Sequence, residues 1–279
     1  MAEHGFQKVT DWSDAYENRG HVPGFERFIE SWAAGGAGAR AALAESGAGT
    51  LDIAYGADPR QRLDLYLPET TARGLAVFVH GGYWRAFGRE SFGHMAQGVR
   101  AAGYAVAVPS YRLAPTVHVP EITADVAAAT TLAASRIQGP ILLAGHSAGG
   151  HLVSRMGVAD GPLSAPIAAR IAHILTISGL HDLRPLLLTD KNDDLRLDTA
   201  TAVAESPALS TPRSDLRLTA WVGGDERPEF IRQSALIANM WLGLGSETRL
   251  VIDPGLNHFD VIEPLEDPES PITRAFLGA

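Results

Sequence analysis

The stretch ILLAGHSAGGHLV at residues 141–153 is the most informative part of the sequence, because it joins two kinds of secondary structure within a few residues. Its first four residues form a continuous apolar run that is typical of a buried strand, and the residues after Gly149 continue as a helix. Between them, Gly145 to Gly149 match the pattern G-x-S-x-G. Small neighbours are required there, since the serine of such a sharp turn has a strained backbone. The pattern predicts that Ser147 stands at the end of a strand as a nucleophile.

The chain on both sides of this turn alternates buried strands with helices. The predicted strands are Leu75–Val79, Tyr104–Val108, Ile171–Ile177, Leu216–Val222 and Thr248–Ile252, and the predicted helices are Glu90–Ala102, Glu121–Arg136, Phe230–Leu242 and Pro271–Leu277. This alternation predicts an α/β fold with a mostly parallel central sheet and helices on both faces.

Two earlier strands differ from the rest. Leu51–Tyr55 and Arg62–Leu67 are separated by a short turn, and the second alternates apolar and polar residues. A period of two is typical of a half-buried antiparallel strand, so this pair is expected to form the antiparallel edge of the sheet.

The 279 residues are expected to form a single domain over 1–279. Residues of about 1–50 are interpreted as an N-terminal extension, with one helix through Phe25–Trp32 and a second short helix after the glycines that follow. Residues of about 178–212 interrupt the alternation and are interpreted as a cap-like insertion above the strand ends.

Composition excludes several classes of protein. The chain has no cysteine, so disulfides, thiolate nucleophiles and cysteine-ligated metals are impossible. A net charge of −9 argues against a nucleic-acid partner, which needs a basic face. Without a signal-like N-terminus or a long apolar stretch, we expect a cytoplasmic protein that does not enter a membrane and acts on a small molecule. A homo-oligomer stays among the alternatives.

A second motif, His80-Gly81-Gly82-Tyr83-Trp84, directly follows the strand at 75–79. Consecutive glycines let backbone N–H groups approach a substrate, where they stabilise the oxyanion of an acyl-transfer reaction. Gly81, Gly82 and Ala148 are therefore candidate oxyanion-hole residues. His80 is expected to hold this loop through hydrogen bonds.

The loops after the last two strands supply candidates for an acid and a base. His258 is the only histidine beyond residue 181, so it has no competitor as the base on the last loop. For the acid, Asp225 follows Gly223-Gly224 and is preferred over its neighbour Glu226. Asp182 and Asp253 are weaker alternatives.

The remaining polar residues show no cofactor or metal motif. The other histidines lack metal-ligand spacing, and Asp193-Asp194 lacks the pattern of a calcium loop. No glycine-rich nucleotide motif is present. We therefore expect no metal and no cofactor.

Together, HGGYW, GHSAGGHL, GGDERPEFIRQS and NHFDVIE resemble the kynurenine formamidase (arylformamidase) branch of the α/β-hydrolases, which is related to the hormone-sensitive-lipase-type esterases. The resemblance extends over nearly the whole chain. It implies an α/β-hydrolase fold, with Ser147 as nucleophile, Asp225 as acid and His258 as base. It also implies the release of formate from an aryl formamide such as N-formylkynurenine, a reaction of tryptophan catabolism.

The substrate is left open by the motifs. Tyr83 and Trp84 could stack on an aromatic leaving group or pack within their own loop. Arg85 could pair with a substrate carboxylate, although an exposed surface arginine is the simpler interpretation. One alternative function is a short-acyl carboxylesterase with the same triad, and another is a hydrolase-fold binding protein without turnover.

Overall fold

The computed structural model describes residues 8–279, and the first seven residues of the expected N-terminal extension lie outside it. Eight strands form one sheet in the order β1-β2-β4-β3-β5-β6-β7-β8. The strands are β1 (Gly49–Ala54), β2 (Arg62–Tyr66), β3 (Leu75–Val79), β4 (Ala105–Pro109), β5 (Ile141–His146), β6 (Ile171–Ile177), β7 (Arg217–Gly223) and β8 (Glu247–Asp253). Strand β2 is antiparallel to both β1 and β4, and all other neighbours are parallel.

Helices cover both faces of this sheet. They are α1 (Trp12–Ala15), α2 (Glu26–Ser46), α3 (Gln97–Ala101), α4 (Val119–Arg136), α5 (Ala148–Met156), α6 (Ala165–Ala168), α7 (Asn192–Leu195), α8 (Thr199–Ala204), α9 (Pro228–Gly243) and α10 (Pro271–Phe276). The predicted fold class is confirmed: a mostly parallel sheet with an antiparallel edge and helices on both sides.

Successive side chains of each central strand pack into two hydrophobic cores, one on each face of the sheet. In β3, Leu75, Val77 and Val79 belong to the core that also contains residues of α4, α5 and α9, whereas Ala76 and Phe78 belong to the core that contains residues of α2, α3 and α10. Because side chains alternate across a strand, an uninterrupted apolar run is what a strand with helices on both faces requires. The burial of all five residues of β3 follows from this arrangement.

The prediction that β2 is half-buried is wrong. Asp64, on the face expected to be solvated, is completely buried, because α2 covers that face. Arg40 of α2 pairs with its carboxylate, and the Arg89 Nε lies 3.2 Å from its Oδ1. Two arginines therefore compensate a buried charge that would otherwise be costly, and Arg40 attaches α2 to the sheet.

Two helix predictions also need correction. The two helices expected between Phe25 and residue 50 are one continuous 21-residue helix, α2. A Cβ at Gly36 would lie 2.2 Å from the carbonyl oxygen of Glu90, so the glycine lets the helix pack closely against the backbone at Glu90. The predicted helix at 90–102 is divided into two short 3-10 turns, at Arg89–Ser91 and Gly93–Ala96, followed by α3.

The segment at 178–212 follows β6 and contains only short helical pieces, among them α7 and α8. Its assignment as a cap-like insertion within a single domain stays a prediction. Over residues 8–279, no helix has both the length and the apolar character needed to span a membrane.

Candidate active site

Ser147 lies between β5 and α5 in a backbone conformation that side chains seldom adopt. Its φ is 55° and its ψ is −119°, in the strained turn that the sequence predicts. A Cβ at Gly149 would lie 2.0 Å from the carbonyl oxygen of Val79, so only glycine allows α5 to start this close to β3. Ser147 lines a cavity of about 320 Å³ that His258 also lines.

A buried carboxylate orients the His258 ring. The Nδ1–H of His258 donates to the Oε2 of Glu226 over 2.6 Å. The other oxygen, Oε1, accepts from the backbone N–H of Gly223 at 2.9 Å and from the Ser178 hydroxyl. Because these bonds engage both carboxylate oxygens, the Nδ1 of His258 keeps its proton and the Nε2 is left as an acceptor.

The choice of Asp225 as the acid is wrong for this geometry. Its side chain is exposed, whereas Glu226 is buried against His258. The chain turns at the end of β7, with the N–H of Glu226 bonded to the carbonyl of Gly223, so consecutive side chains point in different directions. Asp182, a weaker alternative, pairs with Arg184 at 2.8 Å.

The candidate oxyanion residues surround the serine. A Cβ at Gly81 would lie 2.9 Å from the Ser147 Cβ, so the loop after β3 passes directly beside the elbow. Gly82 has a φ of +107°, which favours glycine. Within residues 8–279 the N–H groups of Gly81 and Gly82 have no acceptor. Ala148 is the first residue of α5, where N–H groups are free of helical bonds.

Two other histidines support the site from behind. The Nδ1–H of His80 donates to the carbonyl of Gly81 at 2.8 Å, and the ring stacks on Tyr111 with centroids 4.3 Å apart. Burial lowers the pKa of the His80 imidazole to about 3, so it is neutral. The Nε2–H of His146 donates to the carbonyl of His258 at 2.9 Å. His80 therefore holds the loop, as predicted, and His146 holds the backbone of His258.

The two aromatic residues of the loop have different environments. Trp84 is fully buried, packs edge-on against His151 with centroids 5.1 Å apart and does not line the cavity. Its interpretation as a substrate-stacking residue is therefore wrong. Tyr83 does line the cavity, and its hydroxyl donates to the carbonyl of Tyr16. The loop thus offers one aromatic side chain to a ligand.

The sequence reasoning missed the rest of the cavity wall. The N-terminal region contributes Asn18 and Trp32, and the segment at 178–212 contributes Lys191. These residues are distant from the serine in sequence and carry no motif, so only their packing reveals them. Arg85 also lines the cavity, and its Nη1 pairs with the Oδ2 of Asp194 at 2.6 Å. The described residues contain no cluster of His, Cys, Asp and Glu that could hold a metal ion.

Comparison with known proteins places the chain among hydrolases of the same fold. The BD-FAE family model matches residues 63–212, more than half of the chain. A kynurenine formamidase of Salmo salar is 29% identical over 241 residues, which cover 81% of this chain and 80% of that protein.

Solved structures extend the comparison. A Silicibacter sp. TM1040 protein described as a candidate thioesterase is 44% identical, with a TM-score of 0.91, and the match covers 97% of this chain and 100% of that one. A thermophilic carboxylesterase cloned from a metagenomic library has a TM-score of 0.63 at 21% identity, with 77% of this chain and 81% of that one covered. The second likeness concerns the fold alone. The resemblance to the formamidase branch of the α/β-hydrolases is confirmed.

Proposed function

Because the chain belongs to the BD-FAE family, with an α/β-hydrolase fold, we propose that it hydrolyses aryl formamides such as N-formylkynurenine through a covalent acyl-enzyme. That it is a hydrolase follows from its kynurenine formamidase relatives. The observation that carries the finer proposal is a small cavity lined by both Ser147 and His258, with Glu226 hydrogen-bonded to the histidine.

The first half of the reaction forms an ester on the enzyme. In this proposal the Nε2 of His258 accepts the proton of Ser147 as the serine oxygen attacks the formyl carbon. Glu226 stabilises the resulting imidazolium through its bond to Nδ1. The C–N bond then breaks, and His258 returns the proton to the leaving aryl amine.

The negative charge of the tetrahedral intermediate lies on the former carbonyl oxygen. The N–H groups of Gly81, Gly82 and Ala148 are the proposed donors to this oxygen. Their lack of other acceptors and their position around Ser147 support this role. Ala148 adds the positive end of the α5 dipole.

The second half of the reaction frees the serine. Water donates a proton to the Nε2 of His258 and attacks the formyl ester. As the second intermediate collapses, His258 returns this proton to the oxygen of Ser147, and the formic acid released ionises to formate. No metal or cofactor is needed for either half, since one histidine transfers every proton.

The size and lining of the cavity support a small acyl group on an aromatic leaving group. A volume of about 320 Å³ is at the lower end for ligand pockets. Tyr83, Trp32 and Phe87 contribute aromatic rings to its wall. A flat leaving group packs well on such a surface, whereas a long aliphatic chain exceeds the space.

A short-acyl carboxylesterase remains the second candidate, because the same cavity accepts a short ester equally well. Measurement of kcat/KM for formyl, acetyl, butyryl and octanoyl aryl substrates, as amides and as esters, distinguishes the two. We expect formyl to exceed acetyl and acetyl to exceed butyryl, since overpacking costs about 1–3 kcal/mol. A maximum at butyryl or beyond would refute the formamidase proposal, and inclusion of an acyl thioester tests the activity ascribed to the Silicibacter protein.

A further inference from the structure

Lys191 is a buried lysine in the wall of the active-site cavity. It is one of only two lysines in the chain, and just 4% of its surface is exposed. Its Nζ lies 5.1 Å from the centre of the Tyr83 ring, beside the loop that follows β3. A buried ammonium group is costly unless an anion compensates it, so its partners decide its role.

The carboxylates near Lys191 are too distant to compensate it well. Glu17 Oε2 lies 3.8 Å from Nζ and Asp190 Oδ1 lies 3.5 Å from it. Charge-assisted hydrogen bonds are typically about 2.7–2.9 Å long. Both carboxylates are also partly solvated, with 43% and 71% of their side chains exposed. Lys191 therefore lacks a close, desolvated anion.

A second polar side chain in the same cavity lacks a partner. Asn18 is 6% exposed and lines the cavity with Ser147, yet its side-chain amide makes no hydrogen bond to any residue between 8 and 279. An amide at the cavity wall that has no partner among these residues is available to hydrogen-bond a ligand. Arg85 is not equivalent, because Asp194 already holds its guanidinium.

We propose that Lys191 binds a carboxylate on the leaving group of the substrate and that Asn18 donates a hydrogen bond to the same part of the ligand. The site then selects aryl formamides or esters that carry an anionic side chain over neutral molecules of the same shape. This inference rests on the proposed acyl transfer at Ser147 and specifies its substrate class. Lys191 acts in specificity and takes no part in the bond-breaking steps.

The test uses two substrates that differ only in charge. One is a formanilide whose ortho side chain ends in a carboxylate, and the other is the same compound with a primary carboxamide. A charged hydrogen bond predicts that the wild-type kcat/KM is about 10- to 100-fold higher for the carboxylate. In Lys191→Met the ratio should fall to about one through a higher KM for the carboxylate, and Lys191→Arg should restore most of the preference.

Lys8→Met is the matched control, because Lys8 is the other lysine and is exposed. It should keep the wild-type ratio. A purely structural role of Lys191 would lower kcat/KM for both substrates equally, and that result would overturn the proposal. A wild-type enzyme that turns over both substrates without preference would also overturn it, while the proposed function would stand. If the wild type turns over neither substrate nor a neutral nitrophenyl ester, the proposed function fails and this inference fails with it.

Discussion

Glu226 and Asp225 are adjacent carboxylates, and we predict that Glu226 is needed for catalysis whereas Asp225 is not. Glu226→Gln and Asp225→Asn each remove one negative charge and preserve the size of the side chain. We expect Glu226→Gln to lose about 10³- to 10⁴-fold in kcat. Asp225→Asn should stay within about threefold of the wild type, because its side chain is exposed and surface substitutions have small effects.

The magnitude follows from the hydrogen bonds of the carboxylate. In Glu226→Gln, the amide oxygen is expected to keep the two donors at Oε1, the N–H of Gly223 and the hydroxyl of Ser178. The amide nitrogen then faces the Nδ1 of His258 and donates to it, since an amide NH₂ cannot accept. The histidine proton must move to Nε2, which can no longer accept the serine proton. A triad with this wrong tautomer loses about 10⁴ in kcat, which corresponds to about 5 kcal/mol.

The assay is the hydrolysis of formanilide and nitrophenyl acetate by both variants, together with thermal unfolding. Glu226→Gln should retain a cooperative transition, because its hydrogen-bond partners at Oε1 are kept. The assignment of Glu226 as the acid would be refuted if Asp225→Asn lost more than about 100-fold in kcat while Glu226→Gln stayed within tenfold of the wild type. Asp225 would then be the acid.

Three further predictions concern the nucleophile, the aromatic loop and acid stability. Ser147→Ala should abolish turnover and labelling by a fluorophosphonate with an unchanged circular dichroism spectrum; turnover within tenfold of the wild type would exclude Ser147 as nucleophile. Trp84→Ala should destabilise the protein by about 3–5 kcal/mol in denaturant unfolding, because it empties a buried site, whereas Tyr83→Phe should keep the stability within about 1–2 kcal/mol and mainly raise KM. Burial lowers the pKa of five histidines to about 3 or 4, namely His80, His94, His151, His173 and His181. Since their unfolded pKa is about 6.5, the unfolded state binds more protons below that pH, and stability is lost as the pH falls from 6.5 towards 4, by up to about 1.4 kcal/mol per histidine at pH 5.5. Tryptophan fluorescence should show acid unfolding within this range, and a fully native signal at pH 4 would contradict the argument.

The sequence alone determined the features that depend on neighbouring residues. The strand and turn around Ser147 are local, because small residues are required wherever a strand reverses into a helix beside another strand. The order of strands and helices and the loop position of His258 follow from hydrophobic periodicity. These features can be predicted because they depend mainly on interactions between residues that are close in sequence.

Which side chains meet in space depends on the folded arrangement of distant segments. Glu226 and Asp225 are equivalent in composition, and the choice between them depends on a turn whose donors come from the ends of β6 and β7. Helix α2 continues through its glycines because packing against the sheet outweighs their low helix propensity. Lys191 enters the cavity wall through a segment that has no motif. Such contacts join residues far apart in the chain, and their free energies depend on burial and direction, which no local pattern encodes.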